Sequence, residues 1–325
     1  MTVTALHATI HPAVAGGLHL EVTDISVQTA SVTSITFSDP SGAPLPCYVP
    51  GSHLVVQYGD GANAYSLTGS GSAPSEYTIS VLRVEDGAGG SMAMHRLAIG
   101  ERVLVSRPRS AFAPAATATH HLLIAAGIGI TPMLSHSRAA AEWGVATSLI
   151  YVHRPREGPH VLDAREVLGP ALTEFTDRVS FRKELTERLS NQRLGTHLYV
   201  CGPAAFMETV LGQARELGWP KGRLHSEPFG AAELDPGQPF TVNLARSGIM
   251  LDVPAGVSLL ETLEKAGKSI PNMCRKGVCG ECALPVRRGA PQHRDLYLSD
   301  QEKAANTTIM CCVSRSLDHE MELDL

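Results

Sequence analysis

The residues of this chain with the clearest chemical potential are cysteines gathered near its C-terminal end. Among seven cysteines in 325 residues, three have the spacing Cys274-x4-Cys279-x2-Cys282, and the adjacent pair Cys311 and Cys312 follows. Three such thiolates with a distant fourth are typical of plant-type [2Fe–2S] clusters. A zinc site built on C-x2-C knuckles leaves Cys274 unexplained, and a redox-sensing thiol cluster is a further alternative. The spacing therefore favours an iron–sulfur cluster.

The segment around these cysteines has the turns and neighbouring elements that such a site needs. Gly277 and Gly280 lie between the cysteines and allow the tight backbone turns of a wrapping loop. Residues 238–256 have the pattern of two strands, and residues 258–267 that of a helix with a serine N-cap. The adjacent cysteine pair lies in a segment with a strand pattern, in which successive side chains point to opposite faces. Only one of the two is therefore expected to reach the cluster.

The bulk composition excludes several classes of protein. A formal net charge of −5 lacks the basic excess of a general nucleic-acid binder, and 43% hydrophobic residues suit a globular protein. There is no run of about 18 apolar residues that would predict a membrane span, and the N-terminus lacks the regions of a secretory signal. We therefore expect a cytoplasmic protein of two or three domains, whose clustered thiols bind metal rather than form disulfides.

The middle of the chain contains a pattern suited to a dinucleotide. Residues 120–144 begin as a buried strand, turn at Gly127 and Gly129, and continue as a helix with Pro132 in its first turn. The start of such a helix offers free N–H groups to a phosphate. Because Pro132 replaces the third glycine of G-x-G-x-x-G, the pattern alone is weak, and an ordinary strand–turn–helix unit is the alternative.

The elements that follow support a nucleotide-binding sheet. Strand patterns alternate with helical ones, which predicts a doubly wound parallel α/β sheet with its ligand at the carboxyl ends of the strands. Cys201, Gly202 and Pro203 end one of these strands, so they are expected on the same rim as Gly127 and Gly129. The predicted strands are 145–154, 178–184 and 196–203, and the last is followed by a predicted helix at 204–218.

Arginines rather than an acidic residue follow the second strand of this sheet. Arg154 and Arg156 stand where a dinucleotide fold often has a carboxylate for the ribose hydroxyls. They are able to hold the 2′-phosphate of NADPH, to contact the pyrophosphate, or to belong to a solvated loop. We expect NADH as the coenzyme and retain NADPH as the alternative.

The first 115 residues have a different pattern. Short alternating strands separated by turns predict a small antiparallel β-barrel. Within it, Gly89, Gly90 and Ser91 lie at the start of a short helix, and backbone amides there are suited to a phosphate. A glycine-rich hairpin turn without a ligand is the alternative.

In their order along the chain, these motifs resemble those of the phthalate dioxygenase reductase family. The resemblance implies a flavin-binding β-barrel domain at 1–115, an NAD(P)H-binding α/β domain at 116–231, a linker at 232–237 and a plant-type (β-grasp) ferredoxin domain at 238–325. The motifs that carry it, beside the cysteine loop, are AYSLTG (64–69), GAGGS (87–91), RPRSAF (107–112), AAGIGITPML (125–134), YVCGPAAFM (199–207), HSEPFGA (225–231), HRDLYLSD (293–300) and IMCCVSR (309–315).

The resemblance also implies roles for individual residues. Ser66 would lie near the flavin N5, and Glu227 would close over the flavin. Thr131 and Cys201 would flank the nicotinamide, so these four residues are the expected catalytic ones. Cys312 would complete the cluster ligands. Further residues expected to bind FMN or the nucleotide are Asn63, Tyr65, Leu67, Arg83, Gly89, Gly90, Ser91, Gly127, Gly129, Arg154, Gly202, Pro203 and Phe229.

One position departs from the family pattern. The family's flavin motif begins with an arginine that pairs with the flavin phosphate, whereas this chain has Asn63 there. An asparagine donates hydrogen bonds but carries no charge, so a charge-assisted contact is lost. Arg83 or Arg109 compensates, or the flavin is held more weakly, or it is a different flavin. FMN remains the expectation over FAD.

These features together imply an electron-transfer oxidoreductase. NADH gives up two electrons together as hydride, whereas a [2Fe–2S] cluster carries one at a time, so a flavin between them matches the two.

The resemblance implies a Rieske-type non-haem iron oxygenase, a hydroxylase or demethylase, as the acceptor. Arg275 and Lys276 either steer an acidic patch of that partner or belong to a solvated loop. We expect a monomer. The alternatives are a reductase for another acceptor, such as a cytochrome, and a non-catalytic metal-binding protein.

Overall fold

The computed structural model describes residues 10–325, except positions 15, 88, 111, 230–235, 273–274, 276, 278–279 and 296. The chain divides into two compact units, Met1–Phe229 and Gly230–Leu325. Within the described part of the first unit, an antiparallel sheet precedes a parallel one. The domain boundary expected near residue 115 falls between these sheets, and the domain limits themselves stay predictions.

Seven strands of the first unit form an antiparallel barrel. They are β1 (Leu18–Thr29), β2 (Val32–Ser38), β3 (Ser52–Tyr58), β4 (Gly61–Ser66), β5 (Glu76–Leu82), β6 (Arg102–Val105) and β7 (Arg109–Ser110), with the short helix α1 (Gly90–Met94) between β5 and β6. The strand order is β4–β3–β6–β1–β2–β5, and β7 pairs with β3. A bridge between Leu67 and Ile79 joins the two outer strands and closes the sheet. The predicted antiparallel barrel is confirmed.

Strand β5 shows how the barrel is filled and covered. Tyr77, Ile79 and Val81 alternate along it and are buried in the barrel core. Ser80, between two of them, points to the other face and is also buried, because His160 from the second half of the unit contacts its hydroxyl at 2.7 Å. One side of this strand therefore belongs to the core and the other to a polar contact.

The second half of the unit is an α/β lobe built on a parallel sheet. Its strands are β8 (His120–Ala126), β9 (Ala146–Val152), β10 (Leu172–Phe175), β11 (Thr196–Gly202) and β12 (Leu224–Pro228), and its helices are α2 (Ile130–Trp143), α3 (Val161–Leu168), α4 (Arg178–Ser190) and α5 (Ala204–Glu216). The strand order is β10–β9–β8–β11–β12, with every pairing parallel. Since the order reverses beside β8, the sheet is doubly wound as predicted.

The strand predicted at 178–184 is wrong. These residues begin α4, and the strand lies earlier, at Leu172–Phe175. The Asp177 carboxylate accepts hydrogen bonds from the backbone N–H groups two and three residues on, which caps the helix. The apolar side chains recur every four residues and are buried, which is a helical spacing: Phe181, Leu185 and Leu189.

The described residues of the second unit form a mixed sheet and two helices. Its strands are β13 (Phe240–Leu244), β14 (Ile249–Val253), β15 (Ala283–Arg288), β16 (Pro291–Gln292), β17 (Thr308–Met310), β18 (Arg315–Ser316) and β19 (Glu320–Leu323), and its helices are α6 (Leu259–Lys265) and α7 (Asp300–Ala305). The order β14–β13–β19–β15–β17 has one parallel pair, β13 with β19, at its centre, while β16 pairs with β18. This is the predicted ferredoxin-like α+β fold.

Among all helices in the described part of the chain, none combines the length and hydrophobicity needed to span a bilayer.

Two buried histidines contact Tyr199 inside the α/β lobe. The rings of His121 and His136 have centroids 5.3 and 5.0 Å from that of Tyr199, and both side chains are almost fully buried. The Nδ1 atoms of both have no hydrogen-bond partner among the described residues. Burial lowers the pKa of His121 to about 4 and that of His136 to about 3. Both imidazoles are therefore neutral in the folded chain at pH 7.

We predict that mild acid destabilises the first unit through these two histidines. Both histidines remain neutral in the folded chain but take up protons near pH 6.5 in the unfolded chain. Their contribution to the free energy of unfolding is therefore fully present above pH 6.5 and is lost as the pH drops toward 4. The slope that each group contributes approaches about 1.4 kcal/mol per pH unit well below pH 6.5 and averages about half of that between pH 7.5 and 5.5. Urea unfolding between about pH 7.5 and 5.5 measures the slope. His136→Gln, whose amide is able to donate to the Phe112 carbonyl as the ring does, should reduce it by one histidine's share. Equal slopes in the variant and the parent would contradict the assignment.

Candidate functional site

The carboxyl ends of the parallel strands border a cleft of about 650 Å³. Four neighbouring strands each contribute a residue just beyond their ends: Gly127 after β8, Arg154 after β9, Asp177 after β10 and Pro203 after β11. This is the rim at which open α/β sheets bind their ligands. The structure thus places Pro203 on the same rim as Gly127, as the sequence predicted, and adds Arg154 to it.

Several residues of this cleft escape the sequence reasoning. Asp177, Arg178 and Arg182 line it from the start of α4, and Phe206 lines it from α5. A strand at 178–184 would have placed these side chains elsewhere, and the four-residue apolar spacing was the signal that could have found them. Phe206 stacks on Phe181 with ring centroids 5.3 Å apart, so one wall of the cleft is aromatic. The cleft therefore combines a flat apolar wall with charges of both signs.

The glycine turn before α2 lies directly against the end of β11. A side chain at Gly129 would meet the backbone there, since a Cβ would stand 2.5 Å from the Cys201 carbonyl carbon and 2.8 Å from the Gly202 nitrogen. Gly127 has a φ of +54°, a conformation that glycine adopts without strain. Thr131 is buried, and its hydroxyl donates to the Ile128 carbonyl at 3.1 Å. The turn is held by its own backbone contacts.

The barrel and the α/β lobe meet at three of the four predicted catalytic residues. Ser66 Oγ, at the end of β4, donates to Glu227 Oε2 at 3.3 Å, and both side chains are buried. The Cys201 thiol donates to the Glu227 carbonyl at 3.0 Å. Ser66, Glu227 and Cys201 are therefore one connected group, and Thr131 lies on the neighbouring turn. Phe229 packs, half-buried, against the core of the α/β lobe.

The other residues predicted along β4 have defined contacts. Asn63 Nδ2 donates to the Tyr65 hydroxyl at 3.3 Å, so the residue that replaces the family's arginine orients its neighbour. Burial raises the pKa of Tyr65 to about 12, which keeps the phenol protonated. The Leu67 side chain lies fully buried in the barrel core, and its backbone N–H donates to the Ser52 carbonyl at 2.9 Å.

The segment predicted to bind a phosphate is shaped by two close contacts. Gly89 has a φ of +86°, and a Cβ at Gly90 would lie 2.8 Å from Cε1 of Tyr58. The Ser91 hydroxyl accepts from the Val84 N–H at 3.0 Å and donates to the Val84 carbonyl at 3.1 Å. Glycines therefore allow the backbone to lie close to the tyrosine ring, and the serine fixes the turn.

The two arginines expected to compensate for Asn63 both have partners. Arg83 pairs with Glu85 at 3.7 Å, and Arg109 Nη2 donates to the Ala13 carbonyl at 3.3 Å. Each would have to exchange or share a partner to hold a phosphate.

In the second unit, the described cysteines converge on one sulfur. Cys282, just before β15, and Cys311 and Cys312, just after β17, are buried. The Cys311 N–H donates to the Cys282 carbonyl at 3.2 Å, and both thiols of the adjacent pair hydrogen-bond to the Cys282 sulfur. The other two predicted ligands, Cys274 and Cys279, lie outside the described residues.

The strand argument for choosing between the adjacent cysteines is wrong. β17 ends at Met310, and residues 311–313 form a turn, in which neighbouring side chains need not face opposite ways. Hydrogen bonds from Cys311 and Cys312 lower the pKa of Cys282. Hydrogen bonding to Cys282, together with burial, raises the pKa of Cys311. The opposite shifts share one cause, the close approach of the two sulfurs.

The loop around these thiols has no room for side chains at its glycines. Gly277 and Gly280 both have positive φ angles, +70° and +81°. A Cβ at Gly277 would lie 2.5 Å from Cγ2 of Val313, and one at Gly280 would run into the Tyr297 ring. Buried thiol donors wrapped by a bare backbone are what a [2Fe–2S] cluster requires. The described residues fit such a cluster.

The arginine expected to steer a partner is already paired. Arg275 Nη2 lies 2.5 Å from Glu264 Oε1, and its Nε donates to Asn272 Oδ1 at 3.1 Å. Lys276, its predicted companion, lies outside the described residues. The positive field of Arg275 is therefore partly cancelled by a carboxylate on α6.

Two family models match the chain. The model described as dimethylamine monooxygenase subunit DmmA-like, N-terminal domain, matches residues 102–224, and that of the 2Fe-2S iron-sulfur cluster binding domain matches residues 242–316. The second match confirms the iron–sulfur prediction over the zinc alternative.

Similar proteins extend over nearly the whole chain. It is 41% identical over 284 residues to the heme-dependent oxidative N-demethylase beta subunit of Ectopseudomonas mendocina, covering 86% of this chain and 90% of that one. It is 35% identical over 324 residues to the phthalate dioxygenase reductase of Burkholderia cepacia, covering 95% and 98%. Among solved structures, a phthalate dioxygenase reductase described as a modular structure for electron transfer from pyridine nucleotides to [2Fe-2S] is 33% identical, with a TM-score of 0.76 and coverage of 97% and 100%.

Proposed function

Because this chain belongs to the phthalate dioxygenase reductase family, we propose that it passes electrons from NADH through FMN and a [2Fe–2S] cluster to a separate oxygenase component. The observation that carries the proposal is the contact of Ser66, Glu227 and Cys201. It brings β4 of the barrel beside the nucleotide rim of the α/β lobe, within one compact unit. A cluster domain for single electrons follows on the same chain.

The residues of the barrel would bind and orient the flavin. FMN held there would supply the chemistry that links a two-electron hydride donor to a one-electron carrier. Tyr65 and Ser66 would line its ring, and Glu227 keeps the serine hydroxyl in place. Backbone amides at Gly89 and Gly90 would hold its phosphate, with no help from a charge at Asn63.

The cleft of the α/β lobe would bind NADH. The turn from Gly127 to Gly129 presents backbone N–H groups, and Thr131 and Cys201 would flank the nicotinamide. The Asp177 carboxylate at the cleft would repel a second phosphate on the adenosine ribose, whereas Arg178 and Arg182 would attract one, so NADH is proposed from the family resemblance. Arg154 adds little to the positive charge, because it pairs with Glu157 at 3.4 Å and is largely exposed.

The cluster would be held by Cys274, Cys279, Cys282 and Cys312. The lowered pKa of Cys282 supports its role, since thiolates are the ligands of iron–sulfur clusters. Cys311 would then remain as a buried neighbour that donates a hydrogen bond to sulfur. Such a donor stabilises negative charge on the site.

An anaerobic visible spectrum of the purified protein, with iron, sulfide and flavin assays, tests the proposal. We expect about two irons, two sulfides and one FMN per chain, and bleaching on addition of NADH. NADPH should bleach the protein more slowly. Flavin that NADH does not reduce would overturn the proposed donor. A protein that contains iron but does not bind FMN, even when FMN is added, would overturn the assignment of the barrel.

We predict that Cys312→Ser loses the cluster while Cys311→Ser keeps it. The first removes a thiolate ligand. The second makes the same chemical change at a neighbouring cysteine that is not a ligand. Iron content and the visible absorbance of the cluster measure the difference. NADH oxidation with ferricyanide, which accepts electrons from flavin, should survive in both variants. The opposite pattern would assign Cys311 as the ligand.

The acceptor proposed first is a Rieske-type oxygenase, served by a monomeric reductase in the cytoplasm. The family resemblance supports this partner. A haem-dependent N-demethylase is the second candidate, which the 41% identical relative and the DmmA-like family model favour.

Reconstitution with one purified oxygenase of each type separates the two candidates. The correct class should give product in proportion to NADH consumed, and the wrong class should leave NADH oxidation uncoupled from product. Support of the haem enzyme alone would replace the first candidate by the second. Reduction of a cytochrome alone would overturn both.

A further inference from the structure

A continuous chain of polar side chains runs from the barrel into the α/β lobe. Ser80 Oγ in β5 lies 2.7 Å from His160 Nε2, and His160 Nδ1 lies 2.7 Å from Asp163 Oδ2 in the first turn of α3. The other oxygen of Asp163 accepts from Arg138 Nη2 of α2 at 3.1 Å. Both Ser80 and His160 are only 5% exposed. These residues form the polar relay: Ser80, His160, Asp163 and Arg138.

The helix that ends the relay also holds the loop after β4. Arg138 Nη1 donates to the Thr68 carbonyl at 2.8 Å, and Ser135 Oγ donates to the Gly69 carbonyl at 2.6 Å. Thr68 and Gly69 lie just beyond the end of β4, the strand expected to line the flavin. Helix α2 begins directly after the glycine turn of the nucleotide rim. The flavin-lining end of β4 and the glycine turn of the nucleotide rim, between which hydride is expected to pass, therefore both contact helix α2.

A serine, a histidine and an aspartate in this order also occur in hydrolases, but this set is not placed for that chemistry. A nucleophile must meet a substrate, whereas Ser80 lies in the barrel wall with Ser34 Oγ at 2.8 Å on its other side. Burial lowers the pKa of His160, although Asp163 opposes this. The neutral ring then donates to Asp163 through Nδ1 and accepts from Ser80 through Nε2. Every member of the relay has a partner.

The backbone of His160 indicates that its position matters to the fold. It has a φ of +57°, which is uncommon for residues other than glycine and costs conformational energy. The contacts on both sides of the ring hold it there. Such a conformation persists where the surroundings fix a side chain in a required place.

We propose that the polar relay is a positioning device for hydride transfer, which fixes the flavin-lining end of β4 against the helix that carries the nucleotide turn. The inference rests on the proposed function and names residues outside its binding sites. Reacting atoms must stand about 3–3.5 Å apart, and an error of about 1 Å costs on the order of a hundredfold in rate. The relay crosses between the two halves of the unit without touching the cleft residues that bind by charge.

Two variants break the relay at the same bond from opposite sides. Ser80→Ala removes the hydroxyl on the barrel. His160→Asn keeps a side chain that tolerates the left-handed conformation and reaches Asp163, but it does not reach Ser80. Thr78→Val is the matched control. It removes the contact between the Thr36 and Thr78 hydroxyls, 3.0 Å apart, on β2 and β5, the strands that carry Ser34 and Ser80. Its side chain has no role in the relay.

Anaerobic stopped-flow reduction by NADH measures the limiting rate and the dissociation constant of NADH separately. We expect the limiting rate to fall about tenfold or more in Ser80→Ala and in His160→Asn, with flavin, iron and the dissociation constant unchanged. The double variant should be no slower than either single one, because both remove the same bond. Thr78→Val should match the parent. Unchanged limiting rates, or effects that multiply in the double variant, would overturn the proposal. If one variant fails to fold, the other still decides.

Amide hydrogen exchange separates this inference from the proposed function. If the relay couples the two halves, Ser80→Ala should speed exchange at residues 67–69 and 160–164, even in protein without flavin. Faster exchange with an unaltered hydride rate would overturn the positioning role and leave the proposed function intact. A parent flavin that NADH does not reduce would overturn the proposed function, and exchange would still report on the coupling.

Discussion

A buried carboxylate has to be hydrogen-bonded, and Glu227 meets this requirement partly at Ser66 on the barrel. Moving β12 relative to β4 would remove a partner from a charge held away from water. The carbonyl of the same residue accepts from Cys201, so the end of β11 is fixed by it as well. The elements that border the expected reaction site are thus arranged around one side chain.

The division of the chain follows the different demands of its two kinds of transfer. A hydride moves between atoms in near contact, so its donor and acceptor sites need a fixed separation. The barrel and the α/β lobe meet this need within one compact unit, through buried hydrogen bonds such as Ser66–Glu227 and Ser80–His160. A single electron does not require contact between the reacting atoms. Its carrier is accordingly placed in a second unit that has its own hydrophobic core.

The cysteine spacing has one physical explanation that accounts for all of its members, and it predicted the cluster domain. The alternation of strand and helix patterns predicted the parallel sheet, and Gly127 lies at the rim of that sheet. The prediction failed at 178–184, where Val179 and Phe181 fit a strand pattern but the buried apolar residues recur every four positions, as in a helix. It also failed at Cys311 and Cys312, where the strand ended one residue too early for the alternation argument. The contact of Ser80 with His160 joins positions 80 residues apart, and no local pattern reports such a pairing.

The close approach of Gly129 to Cys201 has a consequence for how such enzymes diversify. With backbone against backbone, position 129 admits no side chain unless the end of β11 moves. Asp177, Arg178 and Arg182 line the same cleft from α4, and all three are exposed and replaceable without disturbing the core. The turn that borders the cleft is therefore held constant by packing, while the charges that line the cleft are free to vary.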